Sequence, residues 1–370
     1  MLGDARGNSG CSPGAWLGLY AGQPMGACPD CSARQPPAKM EGTGSPLVGV
    51  SRRSILLVRI ETTQNKSNKL EQVPMSNPSQ IPGMGWRPDL PDIRDLTTDS
   101  EKTIPHIGRV KSLVAAKAAK SPPQLAASVD LRAWCAPIEN QGALGSCTAN
   151  AGIGMYEYFE RRAFGKHIDG SRLFLYKATR DLLHWTGDTG AYLRTTMKAL
   201  ALFGAPPEEY WPYNIASFDV EPPAFCYAFG QSYRALSYYR LDPPGTLKPA
   251  LLNLIKAYAA AGFPSMFGFT VYSSYTQAGA TGKIPFPKLG ESVAGGHAVV
   301  VVGYDDSLVI QNTNPGGPST TGAFLIRNSW GTGWGAAGYG WLPYQYVLSG
   351  LAVDWWSMIK GEWIDTNLFA

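Results

Sequence analysis

Residues 139–152, "ENQGALGSCTANAG", bring a glutamine, a glycine-rich bend and Cys147 to the start of a helix-like run. Ser146 is of the type that caps helices, which places Cys147 in the first turn, where free N–H groups and the helix dipole favour negative charge. A thiolate is the reactive form of cysteine, and beside a proton acceptor it becomes a nucleophile. The chain has 4 histidines. His106 lies in a leader, and His167 and His184 lie in polar connections. His297 follows two glycines and opens the apolar run "HAVVVV", where it can face a cleft. A neutral imidazole needs a partner on its second nitrogen to fix its tautomer and orientation. Asn328, in "RNSWGTGWG" at the end of a neighbouring strand-like run, supplies a candidate.

The elements that must position these groups follow from periodicity. Apolar residues recur every three or four positions over 147–162, 171–183, 191–203 and 246–260, which predicts helices. Short β-rich runs at 263–272, 297–304, 323–330 and 351–358, separated by Gly, Pro and Asn, predict strands. A helical half followed by an antiparallel sheet half is an α+β arrangement with a cleft between the two. Cys147 would stand on one wall and His297 on the other.

The chain before this body differs in composition. Residues 1–83 are rich in Gly, Pro, Ser and Asn, with "SILLVRI" (54–60) the one strand-like run, and read as a disordered tail. Its Cys28–Cys31 pair has no second CxxC or nearby histidine to complete a metal site, and reads as two incidental thiols. Residues 84–127 form a leader. It contains "GWRPDLPDIRDL", then a short Ala/Lys-rich helix stopped by Ser121, Pro122 and Pro123. The body runs from 128 to 370.

A charge of +4, spread along the chain, gives no nucleic-acid surface, and no run of 18 apolar residues suggests a membrane span. No metal or organic cofactor is expected, and the body reads as a monomer. The N-terminus lacks a clear signal peptide, so localisation is left open, with secretion or a periplasmic location among the options.

Three segments together resemble the papain family of cysteine peptidases: "NQGALGSCTANA" its nucleophile turn, "GGHAVVVVGYDD" its histidine strand and "FLIRNSWGTGWGAAGYGWLP" its asparagine segment. They occur in the family's order between Val129 and Trp356, with His297 150 positions after Cys147. The resemblance implies a papain-like fold, a helical half and an antiparallel sheet or barrel half with the site between them. It also implies hydrolysis of peptide bonds through an acyl-enzyme. Cys147 would be the nucleophile, His297 the general base and acid, Asn328 its orienter, and Gln141 an oxyanion donor. Trp330 would shield the His297–Asn328 bond, and Gly190 and Ala191 in "TGDTGAY" would offer backbone to an extended peptide substrate. The leader would act as a prosegment over the cleft, with Trp86, Leu90, Ile93 and Leu96 as apolar anchors. An inactive papain-fold binding protein and a thiol acyltransferase are the alternatives.

Two departures stand out. Leu144 replaces the family's usual cysteine three residues before the nucleophile, and Thr148 replaces the usual aromatic after it. With that anchoring disulfide gone, a bridge between Cys135 and Cys226 would still brace the turn if the protein is exported. The stretch 307–322 reads as an inserted surface loop.

Overall fold

The computed structural model describes residues 83–369 apart from 103, 121–124, 235 and 236. The strand-like run at 54–60, the Cys28–Cys31 pair and the proline stop after the leader helix lie outside the described residues. The leader helix α1 spans Pro105–Lys120. It is followed by β1 (Ser128–Asp130), α2 (Cys147–Phe164), α3 (Arg172–Leu182), α4 (Leu193–Phe203) and α5 (Ala224–Gly230). Then come β2 (Ser237–Arg240), α6 (Lys248–Ala260), β3 (Ser265–Tyr272), β4 (Val293–Gln311) and β5 (Ser319–Arg327). The chain ends with β6 (Tyr339–Pro343), α7 (Tyr344–Leu348), β7 (Ala352–Ile359) and α8 (Gly361–Ile364).

Helix α2 is the spine. Every residue from Cys147 to Glu160 is buried, as expected of a helix enclosed on all sides rather than lying on a surface. It packs on α3 and α4 in one direction and on β3 and β4 in the other. The small residues Ala149, Ala151, Gly152 and Gly154 let these neighbours approach. At Gly154 a Cβ would meet the Arg327 guanidinium at 2.1 Å, so the sheet half reaches the helix only because that position has no side chain. Trp355, Trp356, Trp363 and seven fully buried tyrosines fill much of the remaining core.

The strands form one antiparallel sheet in the order β2-β7-β3-β4-β5-β6, with β1 paired to β4. β3 and β4 run in register from Ser265↔Val301 to Phe269↔His297, which fixes the histidine at the cleft end of the sheet. The α+β expectation holds. Among the described residues β2 and β6 remain edge strands and no barrel closes. The stretch 307–322 is not a loop: β4 and β5 continue into it as a hairpin arm, pairing Val309 with Thr321 and Gln311 with Ser319. Its β-branched residues and its Gly-Gly-Pro tip favour that arm over coil.

Helix α1 belongs to the same packing. Ile107, Val110 and Val114, spaced three and four apart, are buried against α6 and α8. Burial of each is worth about 1.5–3 kcal/mol. A chain beginning at Ser128 is therefore expected to melt about 10 °C or more below one beginning at Thr97. Equal melting temperatures in a thermal scan would show that α1 contributes nothing to the body.

Candidate active site

Cys147 is the first residue of α2 and has no exposed surface. Ser146 does not cap the helix with its side chain. Its hydroxyl is engaged elsewhere, 2.5 Å from the Tyr213 hydroxyl and accepting from Asn150 Nδ2 at 3.0 Å. The turn before it is fixed through Gln141. The backbone N–H of Gln141 donates to the Ser329 carbonyl at 2.8 Å, and its Oε1 accepts from Ser329 Oγ at 2.5 Å. With the oxygen so held, Nε2 must point its two hydrogens the other way, onto the carbonyls of Leu144 and Gly83, each at 2.8 Å.

His297 faces the same space from β4. Its Nε2 lies 2.8 Å from Asn328 Oδ1. The Ser329 N–H donates to that same oxygen at 2.8 Å, so Oδ1 is an acceptor and the imidazole proton is on Nε2. Nδ1 is left with its lone pair and has no hydrogen-bond partner among the described residues. Trp330 stacks on the ring, with centroids 4.4 Å apart and planes at 24°, and is itself 3% exposed. The N–H of Ala298, next to His297, is among the groups acting on the Cys147 sulfur, so the thiol abuts the histidine strand.

The leader passes through this cleft. Gly83 donates to the Gly142 carbonyl at 3.0 Å, and Gly85 donates its N–H to Cys147 Sγ at 3.3 Å. The Gly85 carbonyl accepts from Ala191 at 2.8 Å, Trp86 donates to the Gly296 carbonyl at 3.1 Å, and Arg87 donates to the Ala191 carbonyl at 3.1 Å. The bridge between Trp86 and Ala191 is parallel. Contact this close demands glycine: a Cβ on Gly85 would lie 1.8 Å from the Gly145 carbonyl oxygen. Of the expected anchors, Trp86 is buried and Leu96 packs against the core, whereas Leu90 and Ile93 are exposed. The chain there is tethered by charge instead, through Arg194 paired with Asp89 and Asp95.

Covering the site reverses the charge state that the helix position favours. Burial pushes the Cys147 thiol up to about 11, against the backbone N–H groups of Ala298, Gly85, Thr148 and Trp86 that lower it. Burial also drives His297 down to about 4, against the hydrogen bond to Asn328. A neutral thiol therefore faces a neutral imidazole, and the expected thiolate is absent while the leader is seated.

One further expectation is corrected. Cys135 and Cys226 are separate buried thiols, placed against the carbonyls of Leu131 and Tyr210, and do not bridge. With the leader seated, the Gly190 N–H is bonded to Tyr176 Oη and its carbonyl accepts from Thr189 Oγ1, each at 3.1 Å, and Ala191 supplies both ladder groups. The brace that the missing disulfide would have given comes from Asp188. Both of its oxygens accept from the Gly145 N–H at 3.0 Å, and Tyr176 Oη donates to it at 2.6 Å. Sequence reasoning misses Asp188, although an acid between two glycines and two residues before the ledge is a signal of a turn held by its own side chain.

A model of the papain family of cysteine proteases matches residues 125–352. An uncharacterized peptidase C1-like protein of Acanthamoeba polyphaga mimivirus is 34% identical over 59% of this chain and 68% of its own length. Chymopapain of Carica papaya is 27% identical over 57% of this chain, which spans about half of that relative, 53%. Among solved structures, xylellain, a cysteine protease from Xylella fastidiosa, superposes with a TM-score of 0.59 at 32% identity, covering 75% of this chain and 96% of that one.

Replacing Asp188 with alanine leaves the Gly145 N–H and the Tyr176 hydroxyl without their acceptor, a loss of about 1.5–3 kcal/mol. Urea unfolding of D188A is expected to show that drop, and a stability equal to wild type would mean that the turn is held without it.

Proposed function

Because the chain belongs to the papain family of cysteine proteases, we propose that Cys147, His297, Asn328 and Gln141 form the catalytic set of an endopeptidase held in check by its own leader. The observation that carries this reading is the His297 ring, oriented by Asn328 through Nε2 with Nδ1 unpartnered, beside a buried cysteine at the start of a helix.

With the cleft open and wet, the burial that raises the thiol and lowers the imidazole is relieved, and the proton passes from Sγ to Nδ1. The thiolate attacks the substrate carbonyl carbon. Negative charge on the carbonyl oxygen is met by Gln141 Nε2 and the backbone N–H of Cys147, dipoles already fixed before reaction. The Gln141 amide holds a peptide carbonyl, that of Gly83, at 2.8 Å with the leader seated. Imidazolium then protonates the leaving amine, and water resolves the thioester by the reverse sequence. Among the described residues no cluster of His, Cys, Asp and Glu could hold a metal ion.

The leader, residues 84–127, serves in this reading as a prosegment. It presents the Gly85 N–H to the sulfur. Together with Gly83, just before it, it also occupies the Gln141 amide and both ladder groups of Ala191. Helix α1 is part of the body's packing, so relief requires only that residues 83–94 lift away.

C147A and H297A are each expected to abolish cleavage of a mixed peptide library, while N328A only weakens it. Q141A should lower turnover by roughly 10- to 1,000-fold. G85A, which unseats the leader without touching the body, should raise the initial rate of the full chain. Wild-type turnover in C147A would overturn the mechanism, and an unchanged rate in G85A would overturn the inhibitory role of the leader.

A further inference from the structure

One turn into α2, Asn150 reaches back onto the residue before the nucleophile. It is buried. Its Nδ2 donates to the Ser146 carbonyl and to Ser146 Oγ, each at 3.0 Å, and its backbone N–H donates to the same carbonyl at 3.1 Å. Ser146 Oγ lies 2.5 Å from Tyr213 Oη, and Tyr213 Oη donates to the Gln141 carbonyl at 3.1 Å. A carbonyl can only accept, so the one hydroxyl hydrogen of Tyr213 is spent there and the Ser146 hydroxyl must donate to Tyr213. The bonds form a directed chain from Asn150 through Ser146 and Tyr213 to Gln141. Arg172 fixes Tyr213 within it: the guanidinium lies 4.3 Å from the ring centroid and pairs with Glu139 at 2.7 Å and with Glu208 at 2.5 Å.

The two ends of this chain are the backbones that carry the two oxyanion donors. The Ser146 carbonyl and the Cys147 N–H belong to one planar peptide and point in opposite directions. Clamping the carbonyl therefore aims the N–H. Two hydrogen bonds on that carbonyl also polarise the amide, which makes its N–H the stronger donor. At the other end, Tyr213 holds the main chain of Gln141, whose Nε2 is the second donor. The arrangement costs stability. Asn150 Oδ1 is buried with no hydrogen-bond partner among the described residues, and an apolar residue would fill the same space without that loss. The Ser146 hydroxyl also gives up the cap that its place before a helix ordinarily supplies.

We propose that Asn150 and Tyr213 are positioning residues of the oxyanion hole, which aim its two donors through a shared hydrogen-bond chain. This inference rests on the peptidase reading and adds two residues to it. Neither side chain touches the reacting atoms. Asn150 acts through the Ser146–Cys147 peptide and Tyr213 through the backbone of Gln141. Full negative charge on the substrate oxygen develops only as the sulfur adds, so misaimed donors lower turnover and leave substrate affinity as it is.

Full-length G85A chains, in which the leader is unseated, separate this role from a merely structural one. A peptide aldehyde takes Sγ at its carbonyl carbon and leaves its oxygen where the oxyanion forms. Iodoacetamide instead alkylates Sγ by displacing iodide at a saturated carbon and forms no oxyanion. Adding Asn150→Leu to G85A should weaken aldehyde binding roughly tenfold to a hundredfold, read by mass spectrometry as lost protection of Cys147 from labelling. It should lower kcat for a small peptide by a similar factor with KM unchanged. The labelling rate without aldehyde should stay that of G85A. Tyr213→Phe removes a single oxygen, should weaken aldehyde binding roughly threefold to tenfold, and decides the matter should Asn150→Leu fail to fold. Aldehyde affinity equal to that of G85A in either folded variant, or a labelling rate that falls in step with it, overturns the assignment. Absence of cleavage by G85A itself contradicts the peptidase reading, and the aldehyde series still decides whether the two residues position the donors.

Discussion

A short ladder between residues 139–141 and 329–331 carries the rest of the site. Asn140 bridges to Trp330, Gln141 donates to the Ser329 carbonyl, Gly331 donates to the Glu139 carbonyl, and the Ser329 hydroxyl closes on Gln141 Oε1. One of these strands leads into the cysteine helix and the other carries the asparagine that orients the histidine. A chemistry split between two halves needs those halves fixed to a fraction of an ångström. This ladder, with Arg327 seated on Gly154, provides that fixity where the sequence lacks the expected disulfide.

The leader lies in the cleft that this ladder fixes, where Gly85 bonds to Cys147 Sγ and Trp86 to the Gly296 carbonyl. It lays a carbonyl on Gln141, a backbone edge on Ala191 and an indole on Asp354. In the covered site burial pushes the thiol up to about 11 and the imidazole down to about 4, so proton transfer between them is disfavoured from both sides. Ion pairs from Arg194 to Asp89 and Asp95 hold the exposed stretch in place, the work expected of Leu90 and Ile93.

Much of this is legible in the sequence. Cys147, His297 and Asn328 stand out because each sits beside a glycine turn at the mouth of a periodic run, and those runs correspond to α2, β4 and β5, with β4 continuing seven residues past the expected end into the hairpin arm. The strands β1, β2 and β6 escape notice because three to five residues give too short a pattern to count. Asp188 escapes it for another reason. It is an isolated acid whose role depends on partners far along the chain, Gly145 and Tyr176. The charge of the thiol is misjudged from sequence because a helix N-terminus is a local feature, whereas dryness depends on what lies over the site.

The claim that the covered site is a neutral pair can be tested on the sulfur itself. Thiolate absorbance in the ultraviolet, taken as the difference between the full chain and its C147A variant, reports the ionisation of Cys147 alone. The account predicts a midpoint near 11 in the full chain and a fall below the ordinary thiol value of about 8.5 in G85A, where the leader is unseated. A thiolate already formed at neutral pH with the leader in place would contradict it.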